Sequence, residues 1–133
     1  MELNPVSTEI PEKRGMFPAW FIINDSGVTV FIKEIGFSSA RRELPFFRKR
    51  KGLETVPVLS PILTDCPERY LPQQWQTAPF PLRLDAWESV TLAAPDLSEL
   101  ETAKRGNYHH IYVTTSNNHS FIADMGDLNN FLR

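Results

Sequence analysis

The chain of 133 residues has a single cysteine, Cys66. No intrachain disulfide can form, so the fold has no covalent staple. In Thr64-Asp65-Cys66-Pro67 a carboxylate stands beside the thiol. That raises a thiol pKa, the wrong direction for a nucleophile. Glycine is scarce too, with 6 residues, and none falls in G-x-G-x-x-G or G-x-x-x-x-G-K. The common phosphate-cradling loops are therefore excluded. No C-x-x-C, H-x-x-x-H or G-x-S-x-G is present, so the usual zinc spacings and the serine nucleophile elbow are missing as well. No apolar run approaches the ~20 residues of a membrane helix. The opening Met1-Glu2-Leu3-Asn4-Pro5 lacks a basic stretch and an apolar stretch, so no signal peptide is expected. With the lone thiol, this points to a reducing, cytoplasmic setting without a membrane partner. No cofactor and no metal are expected.

An apolar fraction of 41% and a charged fraction of 23% suit one globular domain. The net charge of −2 hides an asymmetry. Arg41, Arg42, Arg48, Lys49, Arg50 and Lys51 fall within one short stretch that only Glu43 opposes. It is the strongest compositional anomaly in the chain.

Residues 1–15 carry Pro5 and Pro11 without periodicity and read as a loosely held N-terminal arm, with a single domain over 16–133. Phe17–Ile23 is aromatic and β-branched and suits a strand buried on both faces or an early sandwich strand. Asn24-Asp25-Ser26-Gly27 is a turn signal. Val28, Val30 and Ile32 then alternate, and the apolar parity shifts to Ile35 and Phe37. That shift predicts a bulge near Lys33-Glu34. The two runs read as a hairpin. Residues 42–47 suggest a short edge strand interrupted by Pro45. From Pro57 to Pro81 the prolines rule out a regular helix. Val58, Leu59, Ile62, Leu63, Tyr70, Leu71 and Trp75 make that segment a core cover with at most one short strand. Leu82 and Leu84 pair, on this reading, with Val90 and Leu92 across the turn Asp85–Glu88. Asp96 three residues before Glu99 predicts a capping box and a helix over 96–105, stopped by Gly106. Alternation from His109 to Thr115 and again over 120–123 predicts a second hairpin, and Leu128–Leu132 a helical turn. Many short strands, frequent turns and one short helix near residues 96–105 define an all-β, antiparallel β-sandwich.

Three stretches carry a resemblance: Phe21-Ile22-Ile23-Asn24, Val28-Thr29-Val30 running to Glu34-Ile35-Gly36-Phe37, and Pro81-Leu82-Arg83-Leu84-Asp85-Ala86-Trp87-Glu88-Ser89-Val90. In this order the chain resembles small immunoglobulin-like β-sandwich domains of uncharacterised bacterial and phage-associated proteins. The resemblance covers about residues 17–123 and implies a fold and a mobile-element setting, with no catalytic residues to transfer. The family turn after the Pro-led strand usually has glycine where this chain has Trp87, which places a tryptophan at a turn.

Candidate binding residues are few. Phe46 and Phe47 precede Arg48, Lys49, Arg50 and Lys51, joining stacking surfaces to phosphate-neutralising cations. The overall pI of about 5.9 favours a merely solubilising loop. Trp75 and Trp87 lie in loop contexts, where tryptophan is a frequent contact anchor, whereas Trp20 fits a core strand. His109 and His110 are neighbours on a strand, so they should face opposite ways and be unable to share an ion. The leading expectation is a non-catalytic module acting through protein–protein contact, with another protein or with a second copy in a homodimer. Nucleic-acid or anionic-ligand binding through Arg48–Lys51 is the alternative. A small enzyme assembling His110, His119 and nearby acids is the third.

Overall fold

The computed structural model describes residues 1–39 and 54–131. Among the described residues nine strands form two antiparallel sheets: β1 Glu2–Thr8, β2 Phe17–Ile23, β3 Val30–Ser38, β4 Thr55–Pro57, β5 Ile62–Asp65, β6 Leu82–Leu84, β7 Ser89–Ala93, β8 His110–Thr115 and β9 Ser120–Asp124. One sheet has the order β1-β2-β7-β5. The other runs β4-β3-β8-β9, with β6 also paired to β3. A helix, α1 (Leu97–Arg105), links β7 to β8, and short 3-10 turns occupy Glu68–Gln73 and Leu128–Asn130. The described residues thus form an all-β sandwich with one short α-helix, as the alternation predicts. No helix among the described residues is long and apolar enough to cross a membrane.

The interior comes from strand alternation. Trp20, Ile22, Val90, Leu92 and Leu63 of the first sheet face Ile32, Ile35, Phe37, Ile111, Val113, Leu82 and Leu84 of the second, and all are buried. The Trp20 ring meets Phe37 edge-on at 5.2 Å. Its indole Nε1 donates across the sandwich to the Tyr112 carbonyl at 3.1 Å. A buried indole without an acceptor would be costly, and this bond also fixes how the sheets oppose one another.

The predicted bulge is present as a register shift between Ile32 and Glu34, where β3 meets β8. The β8–β9 hairpin also forms, in continuous register from His110↔Asp124 to Thr114↔Ser120. Other expectations need correction. Residues 1–15 are no loose arm: β1 pairs with β2 along its whole length, from Glu2↔Ile23 to Thr8↔Phe17. Ile10 then packs with Phe17, Ala19 and Ala93 as a second small cluster, which is why β2 is buried on both faces. The predicted hairpin of residues 17–23 with 28–32 is instead an arch between sheets, since β2 pairs with β1 and β7 whereas β3 pairs with β4, β6 and β8. Likewise β6 and β7 are not partners: β6 lies on β3 and β7 between β2 and β5. The segment Pro57–Pro81 holds β5 and a 3-10 turn and begins on the last residue of β4. The strand expected over 42–47 lies outside the described residues.

At α1 the Asp96 side chain accepts from Ser98 N at 2.8 Å, a true N-cap. Glu99 does not complete the capping box. Its Oε2 accepts from Leu59 N at 3.0 Å, so it ties the helix to the β4–β5 connection. Leu97 is exposed, and Leu100 and Ala103 carry the buried face. Gly106 has an ordinary φ of −79°, and Asn107 takes the left-handed position at φ 59°. Gly106 is needed for closeness instead: a Cβ there would stand 2.5 Å from the Tyr108 ring.

Candidate functional site

The most exposed aromatic side chain among the described residues sits on a tightly constrained turn. Trp87 is 71% exposed and has φ 65°. Glu88 N donates to the Asp85 carbonyl at 3.1 Å, closing a four-residue turn with Ala86 and Trp87 at its centre. Of the central pair only Trp87 has positive φ, the type II pattern, in which that position belongs to glycine or asparagine. Holding a bulky residue there costs about 1–3 kcal/mol and requires surroundings that over-determine the backbone.

Those surroundings are present. Asn24 is fully buried at the end of β2. Its Nδ2 donates to the carbonyls of Val28, Leu84 and Asp85 at 2.7, 3.1 and 3.1 Å. Its Oδ1 accepts from Ser26 N at 3.1 Å. One side chain thereby ties the β2–β3 arch to the start of the Trp87 turn. Glu88 folds back so that its Oε1 accepts from Asp85 N at 2.7 Å. From the 3-10 turn, Arg69 grips the same carboxylate with both terminal nitrogens, Nη1 at 2.9 Å and Nη2 at 2.5 Å, a bidentate pair. Its Nη2 also donates to the Arg83 carbonyl at 2.9 Å. Asp85 accepts from Arg83 Nε at 2.8 Å and from Thr29 Oγ1 at 3.0 Å. Tyr70 finishes the frame: its hydroxyl accepts from Arg83 N at 3.0 Å and donates to the Arg83 carbonyl at 3.2 Å, much as a neighbouring strand would.

The charges of this network stabilise one another. The Arg69 guanidinium holds the Glu88 carboxyl below its usual range, with partial burial working against it. Arg83 does the same for Asp85. Arg69 in turn is held more firmly protonated, chiefly by Glu88.

Trp75 also has a left-handed backbone, with φ 69°, but it is 42% exposed and in another setting. Its N–H donates to the Leu63 carbonyl at 2.6 Å. Its ring lines an open polar hollow of about 370 Å³ with Glu9, Ile10, Pro11, Glu12 and Lys13. Trp20 is the core residue described above. Phe47, Arg48, Lys49, Arg50 and Lys51 lie outside the described residues; the described chain leaves and rejoins at Ser39 and Glu54, whose backbones bond at 3.0 Å.

The outer face of the five-stranded sheet carries a second polar group of residues. Gly36, Tyr112 and Ile122 stand in register, with Glu34, Thr114 and Ser120 in the next row. The Tyr112 ring packs against Gly36, where a Cβ would come within 2.7 Å of it and within 2.5 Å of the Val56 carbonyl. Sequence reasoning passed over Gly36, although a glycine inside a strand is itself a signal of close approach. The Tyr112 hydroxyl donates to Glu34 Oε2. Burial, and then this carboxylate, push the phenol well above its ordinary pKa, so Tyr112 is a fixed donor and no base. The adjacent groove holds about 210 Å³, below the ~300 Å³ at which small-molecule sites usually begin.

Burial, and then Asp65, raise the Cys66 thiol, the direction the sequence implies. The histidines depart from expectation. His109 and His110 were expected to point apart, but their rings lie 5.2 Å from centroid to centroid. His109 lies just before the first residue of β8, beyond the pleat that would have turned it away. Neither faces the interior, which β8 fills with Ile111 and Val113. His119 is at the far end of the hairpin, beyond the Thr114↔Ser120 pair, and does not join them.

No family model, curated protein or solved structure matches the chain.

Proposed function

We propose that the chain is a non-catalytic binding module that acts through protein–protein contact, with Trp87 as the anchoring side chain. One observation carries this reading. A tryptophan stands fully presented at a turn position suited to glycine, and Asn24, Arg69, Arg83, Asp85 and Glu88 hold the backbone beneath it. Strain of this kind persists where a side chain is wanted for something other than folding. Tryptophan on a rigid support loses little entropy on docking and gives a large apolar contact.

The test compares wild type with Trp87→Gly, which keeps the turn and removes the anchor. Affinity capture from native extract and light scattering over a concentration series read partner binding and self-association. Loss of a captured protein, or of the dimer, in the folded variant supports the reading. An identical captured set and an identical mass for both proteins overturns it.

A further inference from the structure

We propose that His109, His110 and Asp124 form a binding site for one divalent transition-metal ion, zinc being the ion whose chemistry suits the set. One nitrogen from each ring and one carboxylate oxygen all lie within 4.8 Å of one another. Around a tetrahedral zinc, donors at about 2.0–2.2 Å from the metal stand roughly 3.5 Å apart. The remaining approach is short, and rotation of the exposed His109 side chain can supply it.

The backbone supports the cluster from three sides. His110 and Asp124 are directly opposed on the β8–β9 ladder. Met125 N donates to the His109 carbonyl at 2.7 Å and extends that ladder by one step. Gly126 N donates to Asp124 Oδ1 at 2.9 Å, which orients the carboxylate, and Gly126 itself takes φ +85° so that the chain can turn there. A hydrogen bond of this kind to a ligating group is the usual second layer of a metal site.

An independent observation points the same way. Nδ1 of His110 is buried and has no hydrogen-bond partner. A buried polar atom without a partner is costly and calls for an explanation. Coordination of an ion through Nδ1 would use that lone pair. Two imidazoles and a carboxylate suit zinc and its neighbours in the first transition row, whereas calcium and magnesium prefer all-oxygen sets. With three protein ligands, and two of them exposed, the ion keeps a position open to solvent, so the site takes up and releases its metal readily. The inference stands apart from the Trp87 reading and uses none of its residues.

Zinc chloride alone is the probe, added to the metal-stripped full chain. The chain has only 3 histidines, so their ring protons are separately readable by NMR in the wild-type protein. The His109 and His110 signals are expected to shift with saturation at one equivalent while His119 stays put. By calorimetry, His110→Ala and Asp124→Asn should each weaken zinc binding at least about tenfold, and His119→Ala and Cys66→Ser should leave it unchanged. Absence of saturable binding, equal movement of all three histidines, or loss of binding in Cys66→Ser overturns the proposal. The NMR arm does not depend on whether a variant folds.

Discussion

Trp87 and Trp75 share an improbable backbone conformation and differ in what holds it. At Trp87 the support is polar and converges from three segments: the β2–β3 arch, the 3-10 turn and strand β6. At Trp75 the backbone is tied to the Leu63 carbonyl, and the ring is more buried. The first residue gains little from its own side chain, which points into water. The second is less exposed, at 42%, so more of its side chain is withdrawn from water. A strained residue therefore reports more on its scaffold the less its own side chain is covered, and Trp87 is the case that most needs a use outside the fold to explain it.

Cutting the scaffold should have the largest effect. Asn24→Ala leaves the carbonyls of Val28, Leu84 and Asp85 without their shared donor in a buried position. It should cost about 2–4 kcal/mol, measured by urea unfolding. The loss should exceed that of any change to Trp87, because Asn24 joins the arch to the turn and the tryptophan joins nothing within the fold. A loss below about 1 kcal/mol would mean that Arg69 and Glu88 hold the turn unaided.

The two tryptophans should then respond to the same substitution with opposite signs. Trp75→Gly relieves the backbone but uncovers apolar surface, for a net loss of about 1–2 kcal/mol. Trp87→Gly loses almost no burial. Strain relief of about 1–3 kcal/mol is partly offset by the extra freedom of glycine in the unfolded chain, and the variant should gain up to about 1 kcal/mol. Paired thermal melts decide this. If both variants lose stability equally, the Trp87 ring is packed in solution and the contrast disappears.

Strand identity and facing were legible because burial writes a period of two into the sequence. Leu82, Leu84, Val90 and Leu92 are all buried as their spacing implies, and the parity change before Ile35 marks the bulge. Strand partners were not legible. Asn24–Gly27 and Asp85–Glu88 both look like hairpin turns, yet each leads from one sheet to the other, because the bonds of Asn24 and Arg69 decide where the chain goes. Those contacts join residues up to 61 positions apart, which no local pattern records. Of the candidate site, tryptophan at a turn was visible in the sequence and the clamp beneath it was not. The rule of alternate faces misled at His109, since it holds inside a strand and fails at the first residue outside it.

The smallest expected effects contrast two carboxylates, and pH separates them. Glu88 is paired with Arg69, and its folded-state pKa lies below the ordinary 4.5. Its stabilising contribution is complete above that value and disappears as pH falls through the lowered one. Glu99 is the reverse. Burial raises its pKa above 4.5, and its Oε1 is buried without a partner. Its protonated form is the one the fold prefers, so its contribution is present below 4.5 and is lost as pH rises through the raised value. Glu88→Gln should therefore weaken the protein most at pH 7, by about 1 kcal/mol or less given its partial exposure, and progressively less as pH falls below 4.5. Glu99→Gln removes a buried charge, keeps an oxygen for Leu59 N, and should leave stability at pH 7 unchanged or slightly raised. Denaturation at pH 3, 5 and 7 reads both. Parallel curves for the two variants would show that the Arg69 pair adds nothing to the turn beneath Trp87 beyond what an amide supplies.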